Sequence, residues 1–141
     1  MIVLDTNVIS ELMRETPAAA VLRWVNARPG ASLFITSITQ AEVLHGILLL
    51  PKGKRRDAIV AAADEVFEHD FVGRILPFGS DAALAYATIA VARQRAGRPI
   101  STLDAQIAAI ARSHGADIAT RNVDDFEGCG IDVIDPWSPR S

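Results

Sequence analysis

The chain has 141 residues, half of them hydrophobic, and its formal net charge is −3. This length and composition predict a single domain spanning residues 1–141, and the negative charge argues against a simple basic nucleic-acid binder. No apolar run reaches the roughly 18 residues of a membrane span, and no signal peptide is evident. Cys129 is the only cysteine, so an internal disulfide is excluded and a cytoplasmic location is expected.

Apolar residues in the first part of the chain alternate between strand and helix patterns. Proline at position 17 is expected in the first turn of the second helix, and Thr39 is expected to open the third. The predicted strands lie at 2–4 and 33–36, and the predicted helices lie around 8–13, at 18–25 and from 39 to about 50.

The second part of the chain continues the alternation after a charged turn at 51–54. Pro77 indicates an edge strand or a strand end at 74–78. Helices are predicted at about 56–69, at 81–96 and at 103–113, and short strands at 117–120 and 131–134. The whole pattern predicts an α/β fold, with a mostly parallel central sheet of about five short strands and helices on both faces.

Three acidic residues stand at the boundaries of predicted elements. Asp5 follows the first strand, Glu42 lies just after the second strand, and Asp104 lies at the start of a helix. Ligands of open α/β sheets gather beyond the carboxyl ends of the strands, so we expect these acids to share one rim. An oxygen-only cluster of this kind repels itself unless it binds protons or a hard cation.

Each acid also fits a purely structural role as a helix cap. Thr39 and Glu42 match a capping box, Ser101 and Asp104 form a shorter version of it, and Asp5 is placed to cap the next helix. If capping is their only role, the protein is a non-catalytic interaction domain that binds no divalent metal.

Four motifs in order carry a family resemblance. They are the opening MIVLDTNVIS, SITQAEV at 37–43 followed by Gly46, LDAQIAA at 103–109, and ATRNVDDF at 119–126. Together they resemble the PIN-domain ribonucleases, and in particular the VapC toxins of bacterial toxin–antitoxin pairs. The resemblance covers nearly the whole chain and implies a three-layer α/β/α PIN-like domain.

The resemblance implies an endoribonuclease that depends on Mg²⁺ or Mn²⁺. Its catalytic metal ligands map onto Asp5, Glu42 and Asp104, and water activated by the metal would hydrolyse an RNA phosphodiester bond. A fourth acidic position of many PIN domains falls on a neutral residue here. The residues expected to support the acids are Thr6, Asn7, Thr120 and Asn122, and two further acids, Asp124 and Asp125, either compensate through water or are solvated turn residues.

The resemblance also implies partners for the chain. These are an RNA substrate, a second copy in a homodimer, and a cognate antitoxin whose tail can place a basic side chain among the acids. The apolar segments 9–25 and 43–50 are candidate contact surfaces. The basic residues Lys52, Lys54, Arg55 and Arg56 either hold phosphates or form a solvated turn.

The position of Asp5 directly after the first strand also fits a different enzyme class, the aspartyl-nucleophile phosphotransferases. An aspartyl-nucleophile phosphotransferase commonly has a second acid two residues later, yet position 7 is Asn7, and Arg121 stands where a lysine would follow a late strand. Trp24 fits an apolar helix pattern and is expected in the core instead of serving as a base-stacking platform. Trp137 lies between Pro136 and Pro139 and is expected to pack back on the body.

Overall fold

The strands of the computed structural model, which describes residues 1–139, form one sheet in the order β3-β2-β1-β4-β5. All four pairings are parallel, and Ile2 of the central strand is in register with Leu33 on one side and Asp117 on the other. The predicted sheet of about five short strands is confirmed. Its strands are β1 (Ile2–Leu4), β2 (Leu33–Thr36), β3 (Ile75–Leu76), β4 (Asp117–Ala119) and β5 (Val133–Ile134).

Helices cover both faces of this sheet, so the three-layer α/β/α architecture is confirmed. Successive side chains of a strand point to opposite faces, and in β1 Val3 and Leu4 enter two different hydrophobic clusters. Four helices contribute to the cluster around Leu4 and two to the cluster around Val3. The helices are α1 (Thr6–Leu12), α2 (Ala19–Asn26), α3 (Ser37–Leu49), α4 (Lys54–Asp64), α5 (Ser80–Arg95) and α6 (Thr102–Ser113).

Three local predictions need correction. Helix α3 begins at Ser37, and its cap is Thr36, whose hydroxyl accepts a hydrogen bond from the amide of Thr39 at 3.1 Å. The predicted capping box is therefore wrong, because Thr39 lies inside the helix. Pro17 lies before α2 and outside its first turn, since Ala18 is the cap. The helix expected to reach position 69 is α-helical to residue 64 and continues as a π-helix from Glu65 to Asp70.

Other features agree with the sequence-based expectations. Strand β3 lies at the edge of the sheet just before Pro77, and Trp24 is buried in the core. No helix within residues 1–139 is long and apolar enough to cross a membrane.

Candidate functional site

A cavity of about 540 Å³ opens at the carboxyl edge of the sheet. Its position follows from the topology, because β1, β2 and β4 all end at this edge and each is followed by polar residues. The residues predicted from sequence that line it are Asp5, Thr6, Asn7, Glu42, Asp104 and Asn122. The fold thus brings together three acids that are far apart in the chain.

Asp5 lies deepest in this group. It is the N-cap of α1, and its Oδ1 accepts a hydrogen bond from the amide of Thr6 at 2.8 Å. Its Oδ2 accepts a hydrogen bond from the hydroxyl of Thr120 at 2.8 Å and a longer one, at 3.4 Å, from the side-chain amide of Asn7. Capping and site membership are therefore compatible for Asp5.

Burial raises the pKa of Asp5 from 3.8 to about 6, and the nearby Asp104 and Glu42 carboxylates add to the rise. The hydrogen bonds from Thr120 and Thr6 act in the opposite direction. Burial outweighs them because taking the charged form out of water is the larger cost. Asp5 is consequently a carboxylate that gains from a nearby cation.

Glu42 lies inside α3 and is partly buried. The hydroxyl of Thr6 donates to its Oε1 at 2.7 Å, and that hydroxyl also lies 3.0 Å from the hydroxyl of Thr39. Glu42 therefore binds a side chain of α1 instead of reaching back to cap its own helix. This contact fixes the carboxylate at the mouth of the cavity.

Asp104 enters the cavity from the first turn of α6. The hydroxyl of Ser101, the cap of that helix, accepts a hydrogen bond from the Asp104 amide at 3.2 Å, so this half of the predicted cap is confirmed. Burial raises the pKa of Asp104, with a further upward contribution from Asp125 and a downward one from Arg93.

The predicted polar support residues form one connected network around Asp5. Thr120 is fully buried, and its hydroxyl accepts hydrogen bonds from the side-chain amide of Asn7 and the backbone amide of Asn122, both at 3.1 Å. Asn7 also accepts a hydrogen bond from the amide of Arg121 at 3.2 Å. The network joins the segment after β4 to the start of α1.

Asp124 and Asp125 lie outside the cavity lining, in an exposed 3₁₀ turn. The buried side chain of Arg93 stabilises this turn. Its guanidinium donates hydrogen bonds to the carbonyls of Asp125 at 2.7 Å and Glu127 at 3.0 Å. The same side chain donates to the carbonyl of Arg98 at 2.7 Å.

Several lining residues were not singled out from the sequence as site residues. Glu11 is buried and accepts a hydrogen bond from the amide of Ala18 at 3.0 Å. Its spacing of four from Asn7 places it on the same face of α1, which is a signal that the sequence contained. The other lining residues missed are Ser10, Arg14, Arg121 and Trp137.

The chemistry of this donor set suits a hard cation, since every charged ligand candidate is a carboxylate. Residues 1–139 contain no group of three or more His, Cys, Asp or Glu side chains spaced to enclose a metal ion. A closed cage is not required, because Mg²⁺ usually keeps several waters and uses one or two carboxylates together with substrate phosphates. The burial of Asp5 in a cavity that it shares with Glu42 and Asp104 fits a cation at this position, because burial and the two neighbouring carboxylates raise the pKa of Asp5.

Comparison with known proteins places the chain in a family. A model of the PIN domain matches residues 2–128. VapC ribonuclease Y4jK of Sinorhizobium fredii is 42% identical over 139 residues, which are 99% of either chain. The chain belongs to the VapC-type PIN-domain proteins. The resemblance predicted from the four motifs is thereby confirmed.

Two further comparisons agree with VapC-type membership. Toxin FitB of Neisseria gonorrhoeae is 36% identical over 137 residues, covering 97% of this chain and 99% of the relative. A solved structure of FitAB bound to an IR36 DNA fragment matches with a TM-score of 0.92 and 35% identity, over 100% of this chain and 99% of the other. The similarity to these VapC-type and FitB proteins extends over the full fold.

Proposed function

We propose that this protein is a divalent-metal-dependent endoribonuclease that hydrolyses RNA phosphodiester bonds as the toxin of a toxin–antitoxin pair, and that it acts in the cytoplasm. One observation carries the proposal: Asp5, Glu42 and Asp104, from three separate segments, line a single cavity at the carboxyl edge of the sheet. The ribonuclease relative Y4jK, similar over the whole chain, supports RNA as the substrate.

The three carboxylates are the proposed ligands of Mg²⁺ or Mn²⁺. A bound ion would neutralise phosphate charge. It would also make water acidic enough to lose a proton near neutral pH and so attack the phosphodiester. Thr6 orients Glu42 through a 2.7 Å hydrogen bond, and Thr120 orients Asp5 at 2.8 Å. These hydroxyls hold the carboxylates in place. The entropic cost of ordering the carboxylate side chains therefore falls on folding and not on substrate binding.

An aspartyl phosphotransferase is less well supported by the same geometry. Both oxygens of the Asp5 carboxylate accept hydrogen bonds, one from the Thr6 amide and the other from Thr120 and Asn7. These hydrogen bonds lower the nucleophilicity of the carboxylate, but three of them leave at least one of its roughly four lone-pair sites free to bind a cation. Asn7 uses its side chain to brace Thr120 and Arg121 and supplies no second acid.

The proposed antitoxin partner fits a second cavity that adjoins the first. This cavity, of about 980 Å³, lies between α1, α3 and α4 and shares Thr6 and Glu42 with the acidic one. Its apolar lining includes Met13, Val43 and Ile47, which belong to the two segments predicted as contact surfaces. An amphipathic peptide bound there would reach the carboxylates with a basic side chain.

The proposed homodimer is supported by exposed apolar residues on α3. Leu48 and Leu49 are 68% and 72% exposed, and Leu44 lies on the same helix. Apolar side chains grouped in this way commonly mark protein contacts. Sedimentation of the purified protein alone and with its antitoxin tests both partners, and a monomer under both conditions would contradict them.

Cleavage of total RNA with and without chelator tests the catalytic proposal. The wild-type protein should cut RNA only with Mg²⁺ or Mn²⁺, and Asp104→Asn should lower the rate at least about 100-fold. Asp132→Asn is the matched control, because Asp132 is exposed and lies outside the acidic cavity. Full activity of Asp104→Asn, or undiminished cleavage in chelator, would reject the proposal.

A further inference from the structure

Two side chains that the catalytic proposal does not use stand together at the acidic cavity. Arg121 follows β4 and Trp137 follows β5, and the two strands are adjacent and parallel. The guanidinium carbon of Arg121 lies 5.1 Å from the centroid of the Trp137 ring. Both residues line the cavity that holds Asp5 and Asp104.

Both members of this pair are anchored through their backbones. The amide of Arg121 donates to Oδ1 of Asn7 at 3.2 Å, and the amide of Trp137 donates to Oδ1 of Asp135 at 2.9 Å. The neighbouring Pro136 is buried, and part of the Trp137 side chain packs against the core cluster of Leu4. The pair is therefore ordered before any ligand arrives, which lowers the entropic cost of binding.

The lack of an ion pair within residues 1–139 distinguishes Arg121 from the other arginine at the cavity. Arg14 is 3.4 Å from the buried carboxylate of Glu11 and forms an ion pair with it. Within residues 1–139 no carboxylate lies within 4 Å of the Arg121 guanidinium. An exposed cation beside a cavity rich in carboxylates offers a phosphate its point of attachment.

On the basis of the proposed ribonuclease function, we propose that Arg121 and Trp137 form a subsite for the nucleotide next to the scissile phosphate. A nucleobase stacks against the pair, and the guanidinium contacts a neighbouring phosphate. The subsite takes a single-stranded nucleotide, because a base must be unstacked from its neighbours before it can stack on protein.

The chemistry of the pair favours nucleic acid as its ligand. Aromatic rings and guanidinium planes are the surfaces on which proteins stack unpaired bases, and arginine adds attraction to the backbone. Stacking tolerates any base, since each has a π-face. Of the two residues, Arg121 lies within residues 2–128, which match the family model, and Trp137 lies beyond them.

Steady-state cleavage of a single-stranded RNA oligonucleotide in Mg²⁺ tests the subsite. Trp137→Ala should raise KM about 10-fold and leave kcat within about 2-fold, while Trp137→Phe should keep most of the affinity because a ring remains. Arg121→Ala should raise KM and weaken its salt dependence. Arg23→Ala is the matched control, since Arg23 is exposed on α2 and lines neither cavity.

Fluorescence provides a second test that needs no turnover. In the Asp104→Asn background, the oligonucleotide should quench tryptophan emission, and the added Trp137→Phe change should remove the quenching. The other tryptophan, Trp24, is buried in the core and serves as the internal reference. Equal quenching with and without Trp137 would overturn the subsite.

The outcomes separate this inference from the catalytic proposal. A wild-type protein that cuts no RNA contradicts the catalytic proposal, and the fluorescence test then decides the subsite by itself. Normal cleavage with unchanged KM in Trp137→Ala overturns the subsite alone. Unchanged KM combined with lost inhibition by the antitoxin also overturns it and assigns the pair to protein binding.

Discussion

The two sides of the acidic cavity are built by different means. On what we call the threonine side, the hydroxyls of Thr6 and Thr120 bind the carboxylates of Glu42 and Asp5 directly. On the arginine side, buried Arg93 binds backbone carbonyls of the turn next to Asp104. The threonine side fixes individual carboxylates, whereas the arginine side fixes a chain segment.

This difference separates two kinds of consequence. A change on the threonine side alters the charge or orientation of a carboxylate, so we expect it to affect metal binding, cleavage and pH dependence. A change to Arg93 on the arginine side removes the hydrogen bonds that support a whole turn, so we expect it to affect mainly the free energy of unfolding. Four experiments test this division.

Protonation of Asp5 should give the largest effect. Because burial raises its pKa from 3.8 to about 6, the folded protein holds a proton at pH 5 that the unfolded chain has lost. The free energy of unfolding in chelator should therefore fall by about 3 kcal/mol in total as the pH rises from about 3 to about 7, and then stay lower. Urea denaturation across this pH range measures it.

The control for this prediction is Asp5→Asn, which should lack that part of the pH dependence. The difference between the two titrations isolates Asp5 from other ionisable groups. Addition of Mn²⁺ at pH 7 should restore stability to the wild-type protein more than to the variant. Identical pH profiles for both proteins would contradict the assignment of a raised pKa to Asp5.

Removal of the Arg93 guanidinium should give the next largest effect. Arg93→Met leaves the carbonyls of Asp125 and Glu127 without their charged donor, and should lower the free energy of unfolding by about 2 kcal/mol. Arg95→Met, on the exposed side of the same helix, is the control for urea denaturation. Equal losses in the two variants would show that the turn does not depend on Arg93.

Loss of the Thr6 hydroxyl should affect catalysis more than stability. Thr6→Val removes the donor to Glu42, and should lower the cleavage rate about 10-fold and the free energy of unfolding by about 1 kcal/mol. Thr6→Ser should retain activity because it keeps the hydroxyl. Ser10→Ala controls for a change elsewhere in the cavity lining, and a rate loss as large in that variant would argue against orientation of Glu42.

The smallest expected effect comes from adding an acid at Asn122, whose amide donates to Thr120 on the threonine side. Asn122→Asp places a new carboxylate in the cavity lining, and should tighten Mn²⁺ binding about 3-fold through attraction at an exposed position. Calorimetric titration measures the affinity. Asn26→Asp, exposed on α2, adds the same charge elsewhere, and an equal gain there would indicate only a general effect of net charge.

The sequence was sufficient to predict the fold and the meeting of Asp5, Glu42 and Asp104 at one edge of the sheet. Strand and helix patterns alternate clearly, and polar residues follow the strands that end at one edge, so topology implied the cavity. The cap of α3 was predicted wrongly because threonines at positions 36 and 39 both precede a helical pattern. Only the observed end of β2 at Thr36 decides between them.

The contacts that support the candidate site could not be predicted from the sequence, for a physical reason. Arg93 binds carbonyls more than 30 residues away in the sequence. Because every residue has a backbone carbonyl, the residue type does not show which carbonyl accepts a hydrogen bond. Trp137 was expected to pack back on the body, yet its approach to Arg121 depends on the pairing of β4 with β5. Such contacts belong to tertiary structure, and local patterns do not encode them.

The central position of β1 has a consequence for synthesis of the protein. Asp5 is translated 115 residues before Thr120, but its amide donates to the carbonyl of Ala119 and its carboxylate is held by Thr120. Domains begin to fold while the chain is still being synthesised from its N-terminus. The pocket around Asp5 therefore stays incomplete until β4 has been synthesised. The nascent chain therefore carries an incomplete site throughout the synthesis of the 115 residues from Asp5 to Thr120.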